Sequence, residues 1–280
     1  MKIVTFLILL HGMLLAANSQ YLDSMADKIF RDSNATLASA FGFSMDLGYT
    51  NYKIDVISSE LNRAIDYNIL ELSLGLSYSY DAWLWGIVVK SQVEEFQSNV
   101  IVERGGGLLN DFATIDRAEV SLYTGYKIND FLRLHVVLRS AKLEATDSYT
   151  SYIDYATNFY YQTRGLAISL LYHQTFWSRH AFWGSMGLDY SRAIVSIVER
   201  INGIEDDAYI DDNSDSLGWK VGLGYTYLFS KNIILKLGAD YYKFDFGALD
   251  VDSRMQNSTL EKAFLFEETY ALRAGVVYRF

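Results

Sequence analysis

The sequence predicts an all-β fold, a transmembrane antiparallel up-and-down β-barrel of ten strands, and three observations support this prediction. Apolar and polar residues alternate with period two along most of the chain, which is the pattern of strands with one apolar face. The chain has no proline, whose missing N–H would cost a hydrogen bond in a sheet ladder. It has 22 tyrosines, and amphipathic aromatic rings concentrate at the two interfaces of a membrane.

The N-terminus has the features of an export signal. Lys2 precedes an apolar run over residues 3–15, and Ala17 and Ser19 fit the small positions of a signal-peptidase site. The run is shorter than the ~20 apolar residues that a spanning helix needs, so a retained anchor helix is the weaker alternative. We therefore predict a signal peptide over residues 1–19.

A short segment, residues 20–36, separates the signal peptide from the first strand. Leu22, Met25 and Ile29 recur at helical spacing, which predicts one or two amphipathic turns. Two interpretations stay open for this segment. It is either a periplasmic leader or a plug that folds into the barrel interior.

Ten segments of residues 37–280 carry the alternation. Their apolar faces lie at residues 41–49, 70–78, 83–89, 118–126, 132–138, 166–172, 182–190, 217–229, 233–241 and 264–280. Short connections alternate with long ones, and the long ones are predicted as extracellular loops at residues 57–66, 96–111, 147–158, 200–215 and 246–261. Both termini then lie at the periplasmic end, which requires an even number of strands. Eight or twelve strands are the alternatives to ten.

Period two alone does not say which face of a strand points outward, so a soluble β-sandwich or lipocalin-like barrel is the alternative fold. Composition favours the membrane. No central position of the ten apolar faces is charged, and a charge facing lipid at mid-membrane would cost ~2–4 kcal/mol. The opposite faces carry too many charges and glycines to form a closed apolar shell.

The C-terminal strand gives the most specific signal. Its apolar face runs from Phe264 to Tyr278, and the chain stops at Phe280. This strand resembles the terminal strand of bacterial outer-membrane β-barrels, although no specific family is assigned. The resemblance implies an outer-membrane location and makes Tyr278 and Phe280 the signal that the barrel-assembly machinery reads. It also implies outer-membrane lipid and lipopolysaccharide as partners.

The polar faces predict a barrel interior lined by charges of both signs. These residues are Glu71, Glu119, Arg133, Arg139, Asp189, Lys220, Lys236, Asp240, Glu267 and Arg273. Ten strands enclose a narrow interior. Two interpretations stay open: an ion-pair network that closes the barrel, or a small selective pore.

Two of the predicted loops are candidates for binding. The acidic one contains Asp211, Asn213 and Asp215, which match the opening spacing of a calcium loop and could hold a loosely bound divalent cation. The glycine and the final glutamate of that motif are missing, so a solvated acidic loop is the alternative. The second contains Tyr149, Tyr152 and Tyr155, which predict either an extracellular recognition surface or a strand extension with cross-strand tyrosine pairs.

No catalytic residue and no other cofactor is predicted. Omptin-type outer-membrane proteases use an aspartate pair and an Asp–His pair near the outer rim. Here His135, His173 and His180 all fall near predicted periplasmic turns, and none follows an aspartate by two positions. The net charge of −10 also argues against nucleic acid as a partner. We therefore expect a structural or surface-interaction protein, with a passive channel as the alternative and a hydrolase as the weakest hypothesis.

Overall fold

The computed structural model describes residues 39–57, 61–93, 96–104, 107–150, 154–201, 204–251 and 261–280. The predicted signal peptide and the segment 20–36 lie outside these residues. The strands are β1 (Ser39–Ile57), β2 (Leu61–Tyr80), β3 (Trp83–Gln92), β4 (Phe96–Arg104), β5 (Gly107–Lys127), β6 (Leu132–Thr150), β7 (Asp154–Phe176), β8 (His180–Ile201), β9 (Ile204–Leu228), β10 (Ile233–Val251) and β11 (Glu261–Arg279). No helix in the described part of the chain is long and apolar enough to cross a membrane.

The strands form one closed antiparallel sheet. Each strand pairs with its neighbours, and β1 also pairs with β11, which closes the barrel without a free edge. Strands β3 and β4 lie end to end between β2 and β5, so the eleven strands make ten positions around the barrel. The prediction of ten strands is confirmed, and the alternatives of eight and twelve are wrong.

One end of the barrel is made of tight connections. The chain reverses direction at residues 81–82, 128–131, 177–179 and 229–232. In one of these turns, the side-chain oxygen of Asn129 accepts hydrogen bonds from the N–H groups of Phe131 and Leu132, both at 2.9 Å. In outer-membrane barrels such short turns face the periplasm, so the opposite end is extracellular.

The predicted extracellular loops are largely strand, and this part of the sequence prediction is wrong. Strand β1 continues to Ile57 and β2 begins at Leu61, while β8 ends at Ile201 and β9 begins at Ile204. The polar residues that suggested loops are the outward faces of strands that extend beyond the membrane. The strands are accordingly long, up to 25 residues in β9.

All ten predicted apolar faces point outward, which contradicts the soluble alternative. Leu223 and Leu272, for example, are 66% and 63% exposed although both lie in the middle of paired strands. Such large exposed apolar side chains form a continuous belt that only lipid can cover. Tyrosine and tryptophan side chains, such as Tyr49 and Trp83, border this belt at its two edges.

Above the belt the polarity of the two faces inverts. On β1 the outward face changes to Asn51, Lys53 and Asp55, while Ile54 and Val56 point inward and are fully buried. The same inversion on the other strands produces an apolar core inside the extracellular half. Its members include Tyr52, Ile65, Tyr67, Ile69, Ile115, Leu143, Phe159, Tyr161, Val195, Ile197, Ile210, Phe244, Phe246 and Leu265. The outer surface of the barrel therefore faces lipid in the periplasmic half and water in the extracellular half.

Candidate functional site in the barrel interior

Every charged residue predicted for the interior points inward, because its strand alternates as the sequence indicated. Five of the ten are buried and five are half-buried. They are Glu71, Glu119, Arg133, Arg139, Asp189, Lys220, Lys236, Asp240, Glu267 and Arg273. The contacts among these side chains distinguish a closed network from the lining of a pore.

Glu71 is the acceptor at one side of the interior. Its carboxylate accepts hydrogen bonds from the hydroxyls of Thr50 at 2.8 Å and Tyr52 at 3.0 Å. The Nε atom of Arg117 lies 3.7 Å from the same carboxylate. The guanidinium carbon of Arg117 also lies 3.9 Å from the centre of the Tyr52 ring, within cation–π range.

Arg117 connects this acceptor to a second one. Its Nη2 atom lies 3.3 Å from Glu119, and Lys90 reaches the other oxygen of Glu119 at 2.7 Å. The four charged side chains of Glu71, Arg117, Glu119 and Lys90 alternate in sign and are almost completely buried. An alternating chain of this kind stabilises each charge by the next one, which buried charges require.

Other contacts cross the interior between strands that do not pair. The hydroxyl of Tyr161 on β7 donates to Glu267 on β11 at 2.5 Å. Arg139 on β6 lies 3.6 Å from Asp189 on β8. Lys236 on β10 lies 2.6 Å from Asp46 on β1. A further ion pair, Arg273–Asp240 at 3.3 Å, joins the paired strands β11 and β10. The contacts between strands that do not pair favour the closed network.

The apolar core completes the closure on the extracellular side. The ring centre of Tyr161 on β7 lies 6.3 Å from that of Phe246 on β10, so side chains meet across the interior. Tyr52, Tyr67 and Phe244 are each at most 2% exposed. A water-filled passage beside these rings would expose them, and they are not exposed.

A cavity of about 60 Å³ lies in the interior, within the membrane-spanning half. Its walls carry Glu119, His135, Arg139, Asp189 and Lys220. Its volume corresponds to about four water molecules at ~15 Å³ each. Lys220 makes no direct ion pair within the described residues, so we expect its ammonium to be solvated from this cavity.

The histidines lie far from the extracellular rim. His135 is 1% exposed and faces the cavity. The Nδ1 atom of His180 lies 2.5 Å from the hydroxyl of Tyr225, beside the turn at residues 177–179. His173 is buried on the strand that enters the same turn. Within the described residues, the histidines therefore lie where the sequence placed them.

The predicted cation site does not have the geometry of a calcium loop. Asp211, Asn213 and Asp215 lie on the outward face of β9 and not in a loop. Along a strand the first and last are ~13 Å apart, too far to share one ion. Asp215 instead forms an ion pair with Arg192 at 3.1 Å. No group of three acidic or histidine side chains in the described residues is arranged to hold a metal.

The tyrosine-rich segment is mostly strand, as one of its two interpretations required. Tyr149 on β6 and Tyr155 on β7 are register partners, so a cross-strand tyrosine pair is present at the level of the backbone. Tyr152 lies outside the described residues. Recognition by these tyrosines stays a prediction.

The predicted assembly signal lies at the closure of the barrel. The rings of Tyr278 and Phe280 pack edge-on at 5.0 Å, and both side chains are exposed on the outside. The N–H of Phe280 donates to the carbonyl of Phe41 on β1 at 3.1 Å. Recognition of this end by assembly machinery stays a prediction.

The inward tyrosines are a part of the network that the sequence prediction missed. Tyr52 and Tyr161 supply hydroxyls to the charged interior, and the ring of Tyr67 stacks on that of Tyr52 at 5.2 Å. A signal was present, because Tyr52 has the same parity along β1 as the inward Asp46 and Thr50. Reading this parity past the end of the apolar belt would have placed it inside.

No family model and no curated protein sequence matches the chain. Solved structures similar to it include the following two. The first is the outer membrane protease OmpT from Escherichia coli, with a TM-score of 0.62 and 10% identity, covering 87% of this chain and 98% of that chain. The second is the translocator domain of the autotransporter NalP from Neisseria meningitidis, with a TM-score of 0.50 and 10% identity, covering 90% and 92%. At this identity the likeness shows the fold, which is that of bacterial outer-membrane β-barrels.

Proposed function

We propose that the chain is a closed outer-membrane barrel that acts as a structural and surface-interaction protein. The interactions are made by the extracellular half of the barrel, whose strands extend beyond the membrane. The observation that carries this proposal is the apolar core inside the extracellular half. A conducting pore needs a wet interior along its whole length, and an apolar core is the opposite arrangement. A core there stabilises a wall that stands in water, as in a soluble barrel.

The outer surface of the extracellular half supports an interaction role. It carries cross-strand ion pairs, including Lys53 with Asp66 at 3.9 Å and Arg192 with Asp215 at 3.1 Å. Strands hold these side chains on fixed positions, in contrast to flexible loops. A rigid surface loses little conformational freedom when a partner binds, which favours recognition.

The passive channel is less well supported. The charged residues that would line it are engaged with each other, as in the pairs Lys236–Asp46 and Arg273–Asp240. The cavity of about 60 Å³ favours a channel, but it lies below the apolar core. Conduction would require the side chains of the apolar core to move apart.

An attachment assay on whole cells tests the interaction role. Cells that display the full chain are tested for binding to immobilised laminin, fibronectin and collagen, beside cells without it. We expect attachment to at least one surface, with reduced attachment for an Asp211→Asn, Asp215→Asn, Asp250→Asn variant of the extracellular wall. Asp81→Asn, in a periplasmic turn, is the matched control and should attach like the native chain. Equal attachment by cells that lack the chain, on every surface, would overturn the proposal.

A further inference from the structure

Two arginines lie side by side on the outside of the barrel, at the upper edge of the apolar belt. Arg164 on β7 is the direct register partner of Arg192 on β8, and both side chains are exposed. Directly opposite residues of antiparallel strands have Cβ atoms ~5 Å apart, and like charges there are destabilising. Such an arrangement is stable when an anion lies between the two cations.

The immediate surroundings leave this pair partly uncompensated. Asp215 neutralises Arg192 at 3.1 Å. Arg164 faces Ser140 on its other side and makes no ion pair within the described residues. Lys142, one outward position above Ser140 on β6, is bonded to Glu144 at 2.6 Å.

Other outward basic side chains above the belt have acidic register partners. Lys53 on β1 has the acidic register partners Asp66 and Glu268 on its two sides. Lys243 on β10 is the register partner of Glu268. Lys142 on β6 has no acidic register partner but is bonded to Glu144 on its own strand. Among the outward basic side chains described above the belt, Arg164 therefore stands out because it has neither an acidic register partner nor an ion pair.

The height of the pair on the barrel indicates the ligand. Arg164 lies one outward position above Leu166, and Arg192 lies one outward position above Tyr190. Leu166 is 42% exposed, and Leu188, one outward position below Tyr190, is 57% exposed, so these leucines offer an apolar surface below the arginines. The arginines therefore lie at the level of lipid headgroups, while the leucines lie at the level of acyl chains.

We propose that Arg164 and Arg192 bind a phosphate group of a lipid in the outer leaflet, of the lipid A class. Arginine donates in a fork that matches phosphate oxygens, and charge-assisted bonds of this kind are stronger than neutral ones. Acyl chains of the same lipid cover the leucines beneath. The site is on the outer wall and is independent of whether the interior conducts.

The test is a titration of the full chain, folded in zwitterionic detergent, with bisphosphorylated lipid A. The thermal unfolding midpoint is followed by the shift in electrophoretic mobility of the folded barrel. We expect lipid A to raise the midpoint, and the double variant Arg164→Gln, Arg192→Gln to need about tenfold more lipid A for the same rise, since one charge-assisted contact is worth ~1.4 kcal/mol or more. Lys53→Gln, which is also outward above the belt but has acidic register partners on both sides, should respond like the native chain.

Two further measurements separate the possible outcomes. Dephosphorylated lipid A and inorganic phosphate should each give little protection, because one lacks the anion and the other lacks the acyl chains. An unchanged lipid A response in the double variant would overturn the site, and equal protection by inorganic phosphate would overturn a lipid ligand. The double variant removes a cross-strand repulsion and should fold at least as well without lipid; Arg164→Gln alone is the second test should it not fold.

Discussion

The hydroxyl of Tyr161 donates a 2.5 Å hydrogen bond to the carboxylate of Glu267 across the interior of the barrel. Tyr161 lies on β7 and Glu267 on β11, four positions apart around the wall. The ring of Tyr161 belongs to the apolar core, and the register partners of Glu267, which are Ile54 and Phe244, belong to the same core. The bond thus gives a charge buried within the core a donor from the other side of the interior.

Replacing Tyr161 by phenylalanine should destabilise the barrel by ~1–3 kcal/mol, because the buried Glu267 carboxylate loses a donor while the ring stays in place. Urea unfolding in detergent, followed by tryptophan fluorescence, measures this. The matched control is Tyr160→Phe, since Tyr160 faces outward on the same strand and bonds only Gln162 at 3.3 Å. A similar loss in both variants would contradict the role given to the buried bond.

Replacing Arg117 by methionine should cost more, ~3–5 kcal/mol, because Glu71 and Glu119 are then both left as buried charges without this partner. Arg117→Lys should recover only part of the loss, since lysine cannot contact both carboxylates in the same plane and stack on Tyr52. Unfolding in urea again gives the comparison. Adding Glu71→Gln to Arg117→Met should restore part of the stability, because it removes a buried charge that has lost its cation and leaves the Lys90–Glu119 pair intact; a further loss would show that the charges do not act as a chain.

Replacing Gly224 by alanine should destabilise the periplasmic half, because its Cβ would lie 2.3 Å from the carbonyl oxygen of Leu237 and from the ring of Trp183. Overpacking of this kind typically costs ~1–3 kcal/mol. Gly184→Ala is the control, since the nearest atom to its Cβ is 3.9 Å away. The thermal midpoint should fall for the first variant and stay unchanged for the second, and the opposite order would count against the packing.

Glu268 predicts a specific pH dependence just above the apolar belt. Hydrogen bonds from Tyr241 and Tyr270 lower the pKa of its carboxyl below the usual value. A lowered folded-state pKa contributes stability above the unfolded-state pKa, and this contribution is lost as the pH falls through the folded-state value. As the pH is lowered from the unfolded-state pKa through the folded-state pKa, the unfolding midpoint of the native chain should therefore fall more steeply than that of Glu268→Gln. Superimposable pH profiles would contradict the prediction.

The membrane-spanning half could be predicted from the sequence almost completely. The alternation that puts Leu223 and Leu272 on the lipid side also puts Glu71 and Arg139 inside, because side chains of a strand alternate strictly. Once one residue of a strand is known to face lipid, the alternation therefore assigns every other residue of that strand to the belt or to the interior. The ten-strand closure followed from the even count of such segments.

The extracellular half could not be predicted in the same way. Asn51, Lys53 and Asp55 resemble loop residues, and only their pairing with β2 and β11 identifies them as strand. The partners within the interior were equally hidden. Lys236 and Asp46 are 190 residues apart in sequence, and their contact depends on the closed register and not on any local pattern.

Single-channel recording in a planar bilayer tests the closed interior most directly, using the folded full chain and a Tyr161→Ala, Phe246→Ala variant that removes the two rings meeting across the core. The native barrel should insert and give no stable conductance, whereas the variant should give small openings if it retains the mobility shift of the folded barrel. A stable, voltage-tolerant conductance from the native chain would contradict the account, because it would show a continuous wet path through the apolar core.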